Sequence, residues 1–338
     1  MSASNASAAA RHRVAIPSES IARRAEPASP EAVVCVPTHK RPEMLRQTLT
    51  SLVEQVGDVS FAVVVIDNDP ETRAGARVAA EFLDGGALRG VCVVEAQAGN
   101  CHACNRGFRE ARERFPAASY ILMIDDDEIA DPRWLTLMVE TARESGVDIV
   151  GGPVTPQFPN NAPSAFLHHP LYWPAHATTG PVPMIYGSGN FLIRTQAFAR
   201  LARQEFDLQY NFLGGGDTDF FTRCRLAGMR FYWRQDARIV ETVPDDRIRL
   251  SWVLKRGLRT GAINFRIDRN RCHSPFDLVK LAAKNAALIP VSTFRALALL
   301  LRGRPPLVSV TPMVIALGRV LAWLGLQPEQ YRFKATQP

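Results

Sequence analysis

From residue 32 onward, short apolar runs alternate with stretches of helical periodicity. Residues 32–36, 61–66, 91–95 and 120–124 read as buried strands, and residues 41–55, 71–83, 101–115 and 132–145 as amphipathic helices. A further short run follows at 148–151. Strands and helices in this alternation predict an α/β fold with a mostly parallel central sheet, right-handed crossovers and flanking helices. In such sheets ligands gather at the carboxyl ends of strands. The loops to inspect are therefore Pro37-Thr38-His39-Lys40-Arg41, Asp67-Asn68-Asp69, residues 96–105 and the acidic run that starts at Asp125.

After Gly152 the periodicity fades. Residues 153–187 are rich in Pro, His and aromatic side chains, too long for a passive connection, and read as a loop that shapes a substrate site. A glycine-rich knot, Tyr186-Gly187-Ser188-Gly189-Asn190, then leads into the apolar residues 191–193. A second, Gly214-Gly215-Gly216-Asp217-Thr218-Asp219, opens a helix that ends near Gly228 and places two aspartates in or near its first turn. Helix capping explains one Asp well and three glycines poorly. Residues 251–326 are helical in pattern. Their apolar stretches 281–301 and 307–326 carry Lys284, Pro290, Arg295, Pro312 and Arg319, which favours helices lying on a membrane surface over helices crossing it. Packing against the rest of the chain is the plain alternative.

Asp125-Asp126-Asp127-Glu128 closes a strand with four carboxylates in a row. These side chains repel one another, and a divalent cation with hard oxygen ligands, Mg or Mn completed by substrate phosphates, is the common remedy. The structural alternative is a solvated acidic turn that caps the helix beginning at Asp131-Pro132.

Charge adds a second clue. The formal net charge is +7, and residues 247–271 hold eight basic side chains (Arg247, Arg249, Lys255, Arg256, Arg259, Arg266, Arg269, Arg271) against Asp268 alone. Such a cluster implies an anionic partner: substrate phosphate, an acidic membrane surface or nucleic acid. No zinc-finger spacing, RNA-recognition signature or recognition helix accompanies it, so nucleic acid is set aside. The six cysteines are scattered and two lie in apparent buried strands, which argues against a disulfide framework and for a reducing, cytoplasmic compartment. The expected organisation is a disordered tail over residues 1–30, a catalytic domain over 31–245, and a basic helical region over 246–338.

The Pro37-Thr38 strand end, Ile66-Asp67-Asn68, Asn105-Arg106-Gly107, the aspartate triplet, Gly189-Asn190 and Gly216-Asp217-Thr218-Asp219-Phe220 occur in the order and spacing of family 2 glycosyltransferases. The chain most resembles the bacterial exopolysaccharide enzymes of the succinoglycan-biosynthesis type. That resemblance implies the nucleotide-diphospho-sugar transferase fold called GT-A, and transfer of a hexose from a UDP-sugar with inversion at the anomeric carbon. It implies a glycan acceptor, and the basic cluster over 247–271 with the apolar C-terminal stretches points to one that is lipid-linked at the cytoplasmic face of the cell membrane. By the same resemblance Pro37, Thr38, Arg41, Asn105, Asp125 and Asp126 line the nucleotide-sugar site, and Asp67 accepts a hydrogen bond from uracil. Asp127 binds the Mn or Mg ion between the two phosphates, Asp217 is the catalytic base, and Gly189, Asn190, Gly216 and Asp219 border sugar and acceptor.

The chemistry fits these residue types independently. Inversion needs one carboxylate opposite the leaving group to take the acceptor's proton and a cation to neutralise the departing diphosphate. A glycosidase would need a matched acid and base across the bond and no metal. Two positions depart from the family pattern: Gly216 replaces the usual Glu, and Cys104 the usual Arg, for which Arg106 or His102 could substitute. The Cys101-His102-Ala103-Cys104 run has no second half to complete a zinc or redox site. An alternative reading is a non-catalytic partner that binds sugar nucleotide within a membrane polysaccharide-assembly complex.

Overall fold

The computed structural model describes residues 29–326 and, before them, the strand β1 (Ser20–Arg23). The α/β alternation follows: β2 (Ala32–Thr38), α1 (Pro42–Val53), β3 (Phe61–Asp67), α2 (Ala74–Asp84), β4 (Gly90–Val94), α3 (Asn100–Arg114) and β5 (Tyr120–Met123). Then come β6 (Glu128–Ala130), α4 (Trp134–Ser145), β7 (Ile149–Gly151), β8 (Val154–Gln157), α5 (Ser164–Leu167), β9 (Gly180–Val182), β10 (Phe191–Arg194), α6 (Gly216–Leu226), β11 (Phe231–Trp233) and β12 (Ile239–Thr242). Three helices close the chain: α7 (Leu250–Asn270), α8 (Pro275–Leu301) and α9 (Pro306–Trp323).

One sheet runs β1-β4-β3-β2-β5-β10-β7-β11-β9. β4, β3, β2 and β5 are parallel neighbours, β11 is parallel to β7, and β1, β10 and β9 pair antiparallel. All seven residues of β2 are buried because helices cover both faces, which is why such a strand is a continuous apolar run. Val33 and Cys35 pack with Ile121 and Met123 beneath α3 and the rings of Phe108, Phe191 and Phe220. Ala32, Val34 and Val36 face the opposite layer, built from Leu45 and Leu49 of α1, Ala79 of α2 and Trp134 of α4. Pro42 starts α1 at the first helical position, where its missing N–H costs nothing.

Sequence pattern located β2, β3, β4, β5 and β7 and the apolar run that forms β10, and missed β1, β6 and the other short strands. β6, β12 and β8 form a separate three-stranded sheet, with β6 and β12 antiparallel and β12 parallel to β8. Within the tail expected to lack structure, Ser20–Arg23 instead adds an edge strand to β4; the rest of that tail and residues 327–338 lie outside the described residues. The C-terminal region is helical as expected. α9 crosses α7 at glycines: a Cβ on Gly261 would stand 2.0 Å from the Ile315 carbonyl oxygen, and one on Gly318 2.0 Å from that of Leu258. The two backbones touch there because neither residue has a side chain.

Candidate active site

The aspartate triplet lies just beyond β5, in the turn into β6, beside the ends of β2 and β3. Its middle member is anchored: Asp126 is buried, accepts from the Thr38 hydroxyl at 2.7 Å and the His39 N–H at 3.3 Å, and pairs with Arg41 at 3.2 Å. Asp125 and Asp127 are half-buried residues; the Asp127 side chain keeps some exposed surface, while the Asp125 carboxyl lies further in, so the third carboxylate is the more open to a ligand. Arg41 also reaches Asp127, at 2.7 Å. Burial would lower the Arg41 pKa, but Asp127 and Asp126 more than reverse that and raise it.

Behind the triplet stands a buried carboxylate that the sequence placed in the acidic run without giving it a role. Glu128 accepts from the Asp125 N–H at 2.8 Å, and in the small sheet it sits directly across from Glu241 of β12. Like charges in facing strand positions repel, and Glu241 is partly neutralised by an ion pair with Arg247. The Asp125 carboxyl is pushed well above the usual range, first by burial, then by Asp127 and Asp126, with Arg41 opposing. The Glu128 carboxyl is likewise raised well above its usual range, by burial and then by Asp125. Asp126 is raised too, by burial, against the pull of Arg41 and Thr38.

This is an excess of negative charge that Arg41 and Arg247 do not cancel, built of hard oxygen donors. It fits a divalent cation. Among the described residues no group of three or more His, Cys, Asp or Glu is arranged to enclose a metal; an ion here would be held by one or two carboxylates and completed by substrate phosphates.

Asp217 sits in the first turn of α6, after Gly215 in the left-handed region (φ 88°). Its Oδ2 accepts from the Gly187 N–H at 2.8 Å. Two residues on, Gly189 is pressed against the acidic cluster: a Cβ there would lie 2.0 Å from Glu128 Oε1. The segment 187–189 therefore links Asp217 at one end to Glu128 at the other. The buried Cys104 thiol, on α3, also lies within the fields of both Asp125 and Asp217; burial, then these charges, raise it well above its usual value. Asp217 and the acidic cluster thus share one neighbourhood, although some 90 residues separate them in sequence.

A side chain at Gly216 would crowd buried neighbours. A Cβ at this position would lie 2.8 Å from Cys101 Sγ. The Cys101 thiol is itself pushed up to about 12 by burial and then by Asp217. Arg106 is occupied by Glu110 at 2.6 Å, so it is not free to replace the arginine missing at Cys104.

Other expected site residues hold the scaffold. Asp67 is fully buried, and its two oxygens accept from the backbone N–H groups of Asp69 (3.0 Å) and Ala76 (2.7 Å); it fixes the β3–α2 loop beside Thr38. Pro37 is buried next to Ile66 in the β2–β3 pairing. Asn105 spends its side-chain amide on Phe206, donating to its carbonyl at 2.9 Å and accepting from its N–H at 2.7 Å. Asp219 faces away from the triplet: it pairs with Arg223 at 2.8 Å and borders a hollow of about 440 Å³ between α6 and α7.

Asn190 accepts from the Trp134 indole N–H at 2.8 Å and donates to the carbonyls of Pro153 and Ala237. It staples α4 and the loops around β8 and β12 behind the site. Asn190→Ala leaves the Trp134 indole N–H and the Ala237 carbonyl without that partner, while the Pro153 carbonyl keeps the Ile239 N–H at 3.0 Å; it is expected to cost about 2 kcal/mol, read as a lower denaturant midpoint with an unchanged slope.

The doubly flanked parallel sheet, with a carboxylate cluster at its carboxyl edge and a helix-opening aspartate facing it, defines a GT-A sugar-nucleotide transferase fold. Residues 33–209 match glycosyl transferase family 2, and the chain belongs to that family. Over 243 residues it is 33% identical to the succinoglycan biosynthesis protein ExoM of Rhizobium meliloti, covering 70% of this chain and 74% of that protein. It is 28% identical over 145 residues to the glucosyl-dolichyl phosphate glucuronosyltransferase of Haloferax volcanii, 42% of each chain. Among solved structures, the Pyrobaculum calidifontis mannosyltransferase PcManGT, in complex with GDP-Man and Mn2+, superposes with a TM-score of 0.57 at 19% identity over 90% of both chains. Residues 1–349 of S. aureus TarS superpose with a TM-score of 0.51 at 14% identity, over 91% of this chain and 94% of that one. These two share the fold.

Proposed function

We propose that this glycosyltransferase is a metal-dependent, inverting hexosyltransferase of polysaccharide biosynthesis. It takes its sugar from a UDP-sugar and gives it to a lipid-linked glycan at the inner face of the cell membrane. The observation that carries this reading is the 187–189 segment, fastened to Asp217 by Gly187 and packed on Glu128 by Gly189. It would hold the base at one end and the carboxylates of the metal-and-phosphate site at the other. The likeness to ExoM, named for succinoglycan biosynthesis, and to a glucuronosyltransferase named for a dolichyl phosphate glucoside supports the acceptor class. The mannosyltransferase solved with GDP-Man and Mn2+ supports a cation.

In this scheme the acceptor oxygen attacks the anomeric carbon as the bond to the donor phosphate breaks. The acceptor's proton passes to Asp217, whose Oδ2 is held by Gly187 N–H so that the carboxylate points consistently. Asp127, with Asp125 beside it, would hold the Mn or Mg ion, whose chemistry is to neutralise charge on the departing diphosphate. Arg41, already on Asp126 and Asp127, adds a fixed positive charge there. Asp126, tied to Thr38, keeps the triplet's turn in place, while Asp67, Asn105, Asn190 and Asp219 act through the backbone they brace.

Incubation with α-linked UDP-hexoses, Mn2+ and a lipid-diphosphate glycan, followed by NMR of the product, tests this. A new β-linkage is expected. An α-linkage would overturn inversion, and absence of transfer with intact donor binding would favour the non-catalytic alternative.

A further inference from the structure

Helix α8 is amphipathic the wrong way round for a helix in water. The face it turns to α9 carries Leu281, Asn285, Ser292 and Ala296, mostly small or polar. Its outward face carries Phe276, Val279, Phe294, Leu297 and Leu301, which are 65%, 63%, 73%, 53% and 80% exposed. Large apolar side chains outside and small or polar ones at the helix contact is the arrangement expected where the surroundings are lipid. Charge points the same way. Residues 275–326 contain six basic side chains (Lys280, Lys284, Arg295, Arg302, Arg304, Arg319) and one acid, Asp277, and the acid is spent on the Ser274 capping box.

We infer that α8 lies in the plane of an anionic membrane, with its outward face sunk into one leaflet and the chain not crossing the bilayer. By length and composition both α8 and α9 could span, but α9 is committed elsewhere. It is backed onto α7 at the Gly261–Gly318 crossing, and Thr311 bonds the fully buried His169 of the catalytic body at 2.9 Å. Arg319 reaches Asp268 of α7 at 2.6 Å and Asn285 of α8 at 2.8 Å. α7 is itself fixed to the body, through Arg266 on the Gln209 carbonyl and Asn270 on the Tyr210 hydroxyl. Driving an α8–α9 hairpin through a bilayer would break this set. Sinking the free face of α8 breaks none of it. The basic side chains at its flanks and end, Lys280, Arg295, Arg302 and Arg304, then meet lipid phosphates.

This rests on the membrane-facing part of the proposed function, and its test needs no activity. The full chain is sedimented with sealed vesicles of phosphatidylglycerol and phosphatidylethanolamine, and with phosphatidylcholine vesicles. Binding is expected to the anionic vesicles, at least tenfold weaker for the triple variant Val279→Glu/Phe294→Glu/Leu297→Glu and unchanged for Val56→Glu, another exposed apolar site. Trypsin added outside the wild-type-loaded vesicles is expected to keep cutting after Arg302, in the α8–α9 turn. Equal binding of triple variant and wild type would overturn the docking face, and protection of Arg302 would mean a spanning hairpin. A lipid-free dimer that the triple variant dissolves would assign the face to a second copy instead. Transfer to a water-soluble acceptor reports separately on the catalytic reading, since the triple variant leaves the cleft untouched.

Discussion

Asp217→Asn is expected to lower the transfer rate about a thousandfold, the usual weight of a well-placed general base, while donor affinity stays within about twofold. The geometry makes this a clean substitution. Asn keeps an oxygen that can accept the Gly187 N–H now bound at 2.8 Å, and losing a charge from the first turn of α6 costs roughly 0.3–1 kcal/mol. Position and fold survive; the proton acceptor does not. Single-turnover transfer and donor binding, measured on the same preparation, separate the two effects. A rate within tenfold of wild type would remove Asp217 from the role of base.

Asp127→Ala is expected to abolish the effect of Mn or Mg on donor binding. With the ion present, the dissociation constant for UDP-sugar should rise roughly a hundredfold, about 2.7 kcal/mol, to the value wild type shows in a chelator. The metal-free protein should stay folded. Arg41 keeps its contact with Asp126 at 3.2 Å, and removing Asp127 takes away one of the charges that, after burial, raise the Asp125 carboxyl. Calorimetric titration with and without the ion reads the difference. Unchanged metal-stimulated binding would place the cation elsewhere.

Much of the architecture was legible because its signals are local. A strand buried on both faces must be apolar along its run, and β2 and β3 are until their last residues, Thr38 and Asp67; Pro42 marks a helix start wherever it stands. The triplet was legible for a similar reason, since adjacent like charges at a strand end are costly without a counter-ion. The small sheet was not. β8 contains Pro156 and none of its four residues is buried, so its pairing with β12 depends on a partner 85 positions away. With that sheet hidden, Glu241 could not be seen to face Glu128.

Side-chain roles divided along the same line. Family order marked Asn105, Asn190 and Asp219, but whether an amide or carboxylate points at ligand or at backbone is decided by packing. Phe206 and Trp134, distant in sequence, and Arg223, one turn along the same helix face, claim those groups. Gly216 shows the reverse case. Its departure from the family looked like the loss of a contact, and its neighbour Cys101, 2.8 Å from a would-be Cβ, gives the steric reason.

The basic cluster over 247–271, one anionic-partner surface by sequence, is divided in the fold. Arg259 is buried, Arg247 serves Glu241 beside the active site, and Arg266 ties α7 to the body. Arg249, Lys255, Arg269 and Arg271 remain exposed.

The most direct test of the central arrangement is an anomalous-scattering map from crystals of the full chain grown with UDP and Mn2+. One manganese peak against Asp127 is expected, with the diphosphate lying between it and Asp217. A nucleotide bound on another face, or manganese remote from the triplet, would contradict the account.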